Sequence, residues 1–227
     1  MKMKLFAALI AGATLLPFTV FAASDAPKRL QSAAEAFKEV MGIPDKAIPQ
    51  DLLNKAQCIV IVPDLKKGAF IVGGKYGKGF VSCRKKDGVG WSAPGAIRIE
   101  GGSVGFQIGG SEMDVFMLVM NDRGMERLLG DKFTLGGDAT VAAGPVGRVA
   151  QAETDARMTA EILAWSRARG LFAGIALDGA TLREDEDWNI EMYGKPIKNR
   201  EVVTGAVAPP KAAAGLLSEL DRYSSRK

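Results

Sequence analysis

Hydrophobic and polar positions alternate through much of the middle of this chain, and glycine interrupts the alternation at short intervals. The stretch 90–110 shows this most clearly. Ala96-Ile97-Arg98-Ile99-Glu100 and Val104-Gly105-Phe106-Gln107-Ile108 each have period two, which predicts strands with one buried face. Gly101-Gly102-Ser103 between them reads as a hairpin turn, because glycine reaches positive φ without a steric cost. Glycine repeated inside strands marks bulges and bends, so the segment predicts a strongly curved sheet.

The rest of the pattern divides into helices at the two ends and strands between. Residues 26–42 predict an amphipathic helix. Leu30, Ala33, Ala34, Phe37, Val40 and Met41 share a face, Asp25 can cap it, Pro27 suits its first turn and Gly42 ends it. It can pack on the domain or lie on a membrane surface; the mixed charges of its polar face weigh against the second. A short helix follows at 49–55. The apolar run 58–62 predicts a buried strand, 63–68 a turn, 69–72 and 79–83 further strands joined by 73–78, and 85–88, with its Asp-Gly pair, another turn. Residues 113–120 predict a strand, and Asn121 caps a short helix through Leu129. Small-residue strands follow at 140–143 and 146–150. A helix is compatible with 155–167, but the alternation of 162–168, then Arg169-Gly170 and 171–177, favours a hairpin. After Asp178-Gly179 a short acidic helix would carry Leu182, Trp188 and Tyr193. A linker at 206–210 leads to a last amphipathic helix, 211–222, with Ala212, Leu216, Leu217 and Leu220. Together these predict an α+β fold: a strongly curved antiparallel β-sheet closing toward a barrel, flanked by N- and C-terminal amphipathic helices.

Composition changes this picture in three places. Lys2 and Lys4 precede an apolar run from Leu5 to Val20, and Val20-Phe21-Ala22 fits a cleavage site, so residues 1–22 read as a secretory signal peptide cut after Ala22. No Cys stands at the cut, which disfavours a lipoprotein anchor. The domain is then 23–205 and the linker with the last helix 206–227. Removing Lys2 and Lys4 lowers the net charge from +4 to +2, but the charge is segregated. Between 65 and 86 stand Lys66, Lys67, Lys75, Lys78, Arg84, Lys85 and Lys86 with no acidic residue, whereas Glu184, Asp185, Glu186 and Asp187 form an acidic run. The basic set has three readings: edge lysines that deter aggregation, a surface for anionic lipid headgroups, or nucleic acid, which export argues against. Cys58 and Cys83 permit a disulfide in an oxidising compartment; two buried thiols are the alternative.

The chain has no histidine, which removes Ser-His-Asp and Cys-His mechanisms and the commonest zinc ligand. No metal site, cofactor or catalytic group is expected. The run 73–79 has Gly-Lys pairs, but its spacing is short for a phosphate-binding loop and it precedes a strand. Asp185, Asp187 and Asn189 open like a calcium loop, yet Ile190 replaces the required glycine and Pro196 the closing Glu. Arg148, between glycines, suits either a structural role or a phosphate contact.

Several short motifs occur together: Pro63 after an apolar strand, Tyr76-Gly77-Lys78-Gly79, Trp91-Ser92-Ala93-Pro94, 105–110, 144–148, 170–174 and Tyr193-Gly194. This combination resembles the SYLF domain family, the lipid-binding or actin-binding domain of a group of yeast endocytic proteins, and here an exported, bacterial member. The resemblance covers about 33–203. It implies non-catalytic binding of phospholipid, phosphoinositides in eukaryotic members, with actin filaments as a further ligand of some. It also implies that an N-terminal amphipathic helix and basic surface residues make the contact. By position these are Lys28 and Arg29 together with Lys66, Lys67, Lys75, Lys78, Arg84, Lys85 and Lys86. For an exported chain the expected partner is an anionic phospholipid surface of the envelope, from the periplasm or after secretion, with peripheral membrane association. The alternative is a structural or antigenic envelope protein acting through protein partners; nucleic acid is not expected.

Overall fold

The computed structural model describes residues 25–69, 72–104, 109–130, 132–147, 160–205 and 207–224. The expected signal peptide, Arg148 and residues 105–108 lie outside these. The described chain opens with α1 (Asp25–Met41) and α2 (Gln50–Lys55), followed by β1 (Cys58–Ala69), β2 (Val72–Cys83), β3 (Gly95–Val104) and β4 (Gly109–Val119). Then come α3 (Asp122–Leu128), β5 (Lys132–Thr134), β6 (Val141–Ala143), β7 (Ile162–Ala168), β8 (Leu171–Gly174) and β9 (Thr181–Glu184). The last elements are α4 (Glu186–Tyr193), α5 (Asn199–Thr204), a 3₁₀ turn (Lys211–Ala213) and α6 (Ala214–Ser224).

The strands form one curled sheet in the order β5-β9-β3-β2-β1-β4-β7-β6, with β8 on the remaining length of β7. It is an open half-barrel, and every pairing is antiparallel except β6 with β7. The α+β expectation holds, with helices at both ends of the described residues.

Three expected turns lie inside strands. Residues 63–68 belong to β1, which carries one more residue than β4 between Val62 and Leu65 and one more than β2 between Ile61 and Lys66. Pro63 and Asp64 make this bulge, where a missing N–H breaks no ladder bond. Asp64 has φ 50°, its N–H donates to Asp114 Oδ1 at 3.0 Å, and Arg29 donates to the Pro63 carbonyl and to Asp64. Residues 73–78 lie inside β2. Gly101-Gly102-Ser103 lies inside β3, paired with Lys75, Gly74 and Gly73, and β3 does not pair with β4. Glycine there reflects a bare strand and not a turn.

Glycine does set the bend next to the bulge. A Cβ on Gly79 would stand 2.1 Å from the Ile61 carbonyl oxygen, and one on Gly77 2.9 Å from a Val62 methyl. Only a residue without a side chain lets β1 and β2 approach this closely.

Alternation then gives the sheet two cores. Cys58, Val60, Val62, Leu65, Val81, Ile97, Ile99, Val115 and Met117 line the inner face, where Phe133 and Leu182 from one edge of the sheet meet Ile162 and Ala164 from the other. Ile59, Ile61, Phe80, Phe116 and Leu118 line the outer face, covered by α1 and α6. Leu30, Ala33, Phe37 and Val40 of α1 are buried there with Leu216 and Leu220 of α6. Full burial of each large side chain contributes roughly 1.5–3 kcal/mol. The apolar face of the N-terminal helix is thus occupied by the protein's own core, the packing alternative of the two.

The 162–168 alternation is strand β7, turning through Arg169 and Gly170, both at positive φ, into β8. Leu182 sits on β9 and not on the acidic helix, which begins at Glu186 after the Asp185 cap. Asn121 caps α3 as expected, accepting from the Gly124 N–H. Cys58 and Cys83 stand directly opposite on β1 and β2 and are joined by a disulfide.

Candidate functional site

Of the nine expected basic residues, Lys28 and Arg29 lie on α1, and the sheet places the other seven in three environments. Lys66, Lys67 and Lys75 lie near the β1–β2 connection, nine positions along β1 from Cys58 in the case of Lys67. Arg84, Lys85 and Lys86 follow Cys83 at the opposite end. At about 3.3 Å per residue the two groups are about 30 Å apart, so a flat surface across the strand ends meets only one of them. Lys78 lies between.

The Cys58–Cys83 end is tied down. The Arg84 guanidinium is buried, donates to the carbonyls of Leu53 and Ser224, and stacks 3.9 Å from the Trp91 ring centroid. Trp91 Nε1 donates to Ser224 Oγ at 3.0 Å, and Ser92 Oγ accepts from the Cys83 N–H at 3.0 Å. Arg84 is therefore an internal bracket between β2, α2 and α6, while Lys85 and Lys86 stay exposed in the turn closed by Gly88 N–H to the Lys85 carbonyl. Lys78 is 2.8 Å from Asp185 and 4.6 Å from the centre of the Trp188 ring. Arg29 holds the bulge, and Lys28 is exposed on α1.

The motif residues are joints. Tyr193 donates to the Pro94 carbonyl at 2.7 Å, and burial raises its phenol well above the usual range. Asn189 accepts from the Ala96 N–H and donates to the Ile197 carbonyl and to Asn199, which donates to the Ala96 carbonyl. Gly95 makes room for Asn199, and Gly144 for Trp165, whose Nε1 donates to the Pro145 carbonyl at 2.9 Å. Asp185 and Asn189 are spent on a cap, an ion pair and this clamp, so they do not form a calcium loop. Among the described residues no group of His, Cys, Asp and Glu side chains could hold a metal ion.

The Lys66–Lys75 end differs. Lys67 and Lys75 are directly opposed across β1 and β2, both half-buried, and Ser111 of β4 stands opposite Lys67 on the other side. Burial, and secondarily the charge of Lys67, hold the Lys75 ammonium below the usual lysine range, with Asp178 pulling the other way. Lys66 is 3.8 Å from Glu112. The β7–β8 turn ends level with Leu65, because Asp114 opposes Arg167 and Met113 opposes Leu65. That brings Arg169 to the same end, with Leu171, 77% exposed, and Tyr76, 48% exposed.

Sequence reasoning missed Ser111, Arg169 and Leu171, which only strand order brings beside the lysines. It also missed a basic row across four strands, Lys78, Arg98, Arg183 and Lys132. There Arg98 and Arg183 share Glu100 at 2.8 and 3.7 Å and Lys78 pairs with Asp185, so three of the four carry a counter-charge, while Lys132 at the edge is exposed.

Fold and surface together define a helix-backed half-barrel module that is braced at one end and bare and basic at the other. A family model described as Ysc84, Las17-binding protein actin regulator, matches residues 100–223, more than half of the chain. The chain belongs to this family, the SYLF family of the motif resemblance. It is 34% identical over 209 residues to SH3 domain-containing YSC84-like protein 1 of Bos taurus, covering 89% of this chain and 61% of the relative. The corresponding Xenopus laevis protein is 36% identical over 211 residues, covering 88% and 62%. LAS seventeen-binding protein 3 of Saccharomyces cerevisiae is 34% identical over 181 residues, covering 78% and 39%. The chain thus spans about three fifths or less of the length of these relatives.

Proposed function

We propose that the protein binds anionic phospholipid without catalysis, presenting the Lys66–Lys75 end of the half-barrel to an envelope membrane. The observation that carries this reading is the gathering of Lys66, Lys67, Lys75 and Arg169 with exposed Leu171 and Tyr76 at one end of the sheet. Each Lys or Arg near an anionic surface contributes about 1 kcal/mol, and with Glu112 offsetting part of Lys66 the other three support reversible binding. A leucine and a tyrosine beside them suit the interface, where an apolar body meets a polar boundary. At the opposite end Arg84 is internal, and Asp87 accompanies Lys85 and Lys86. Lys28 remains a peripheral contributor.

Co-sedimentation with phosphatidylglycerol vesicles and with phosphatidylcholine vesicles at low salt tests this. Pelleting with the first only, reversed by salt, is expected; absence from both pellets overturns it. Export belongs to the same reading, and N-terminal sequencing of protein recovered from the envelope should begin at Ala23.

A second reading, binding of a protein partner, is favoured by the names of the relatives and of the family, which refer to Las17 binding and actin regulation. Salt-insensitive capture of one envelope protein, without vesicle binding, would replace the first reading by this one.

A further inference from the structure

We propose that Lys67, Lys75 and Ser111 form a binding site for a phosphate group at the inner rim of the half-barrel. The proposal deepens the membrane reading, on which only its lipid arm depends.

Ser111, Lys67 and Lys75 occupy one row across β4, β1 and β2. Directly opposed residues point to the same side of a sheet with Cβ atoms about 5 Å apart. That side is the inner face. Lys67 follows buried Leu65 by two positions, Ser111 precedes Val115 by four, and Lys75 precedes Val81 by six. The row therefore continues the inner core to its rim, where donor side chains of three strands stand side by side.

The two ammonium groups are an electrostatic oddity. Like charges directly opposed on neighbouring strands destabilise the pair, and partial burial deepens the cost because it removes the water that would screen them. Elsewhere this protein neutralises such crowding: Lys78 has Asp185 at 2.8 Å, Arg98 has Glu100 at 2.8 Å and Lys198 has Glu184 at 3.3 Å. No carboxylate among the described residues lies within ion-pair distance of Lys67 or Lys75. Asp178 is near enough to favour the charged form of Lys75, but burial and Lys67 outweigh it. An anion between the ammoniums removes their repulsion and converts both into charge-assisted hydrogen bonds. A tetrahedral phosphate supplies an oxygen to each ammonium and a third to the Ser111 hydroxyl, where a carboxylate has only two. A phosphate of this kind can be a lipid headgroup or a free ion.

The experiment follows the Lys side-chain NMR signals of the full chain during titration with inorganic phosphate, against sodium chloride at matched ionic strength, and pairs this with co-sedimentation on phosphatidic-acid-containing vesicles. Saturable shifts at Lys67 and Lys75, with Lys85 and Lys86 following ionic strength only, are expected. K67Q/K75Q should weaken binding at least tenfold, and S111A by a smaller factor; thermal melts of both variants establish that they fold. Response to both probes, lost in K67Q/K75Q, supports the site with a headgroup as its ligand. Response to inorganic phosphate without vesicle binding supports the site with free phosphate as its ligand and removes the membrane reading. Vesicle binding that is unchanged in K67Q/K75Q overturns a headgroup as the ligand of the site and leaves the membrane reading standing. No saturable change at either lysine with either probe overturns the site.

Discussion

At the end of the sheet where Cys58 faces Cys83, a disulfide, a buried arginine and an indole–hydroxyl hydrogen bond converge within a few residues. At the other end Gly110, Gly68, Gly74 and Gly102 stand in register across β4, β1, β2 and β3, and the adjacent row carries two opposed lysines. One end is braced by a disulfide, hydrogen bonds and a cation–π contact. The other has little side-chain bulk and holds like charges together. Such unequal ends separate stability from binding: the braced end can keep the fold intact while the other accepts a partner, which suits the local stability gradients that binding regions require.

The largest test of this contrast is the disulfide. Opening a loop of 25 residues costs about 3.5 kcal/mol in the chain-entropy account. Reduction, or replacing both cysteines by serine, should lower the denaturant midpoint sharply while leaving any vesicle binding of the folded fraction unchanged. Equal loss of affinity and stability would mean that the two ends are coupled and the contrast is false.

Glycine supplies the next test, because the two glycine sets look alike in sequence and differ in space. Gly79→Ala drives a methyl into the Ile61 carbonyl, which no rotamer relieves. A loss on the order of 3 kcal/mol is expected in chemical denaturation, the upper range for overpacking. A Cβ at Gly68 or Gly102 would meet nothing within 4 Å, and neither residue has a positive φ. Gly68→Thr and Gly102→Thr should each stabilise by roughly 0.5–1 kcal/mol, since glycine in a strand gives up conformational entropy and threonine favours the pleated surface. Destabilisation at these positions would show that the bare row has a structural reason.

These pairs also show what the sequence could and could not reveal. Period-two alternation identified the strands, and Asn121 and Asp87-Gly88 marked a cap and a turn whose chemistry is local. The turns expected at 63–68, 73–78 and 101–103 failed because glycine and proline report a departure from regular backbone without saying whether it is a turn, a bulge or a bare strand. Long-range pairing was beyond reach. Lys67 and Lys75 were visible as charges, but their opposition depends on the one-residue bulge at Pro63-Asp64, and Ser111 joins them only because β4 returns to the far side of β1. Arg84 shows the reverse error. It lay in a basic run, yet the chain turns it inward to two carbonyls and an indole, contacts that come from residues as distant as Ser224.

The smallest effect bears on the lysine pair itself. Lys75 has its ammonium disfavoured in the fold, by burial first and Lys67 second, so its folded pKa lies below the unfolded value of 10.5. Between those two values the unfolded chain holds more proton than the folded one, and stability rises with pH. Below the folded pKa the full penalty is present. Lys75→Gln removes it, so the variant should be more stable than the parent at pH 7, and its advantage should shrink as pH approaches 10.5. Taking the difference between the two proteins cancels the other groups that titrate over the same range. Saturating phosphate should erase the advantage at pH 7, because a bound anion already relieves the repulsion. A difference that stays flat from pH 7 to 10.5 would mean that water screens the pair as well as it screens Lys85 and Lys86, and the two ends would then be electrostatically alike.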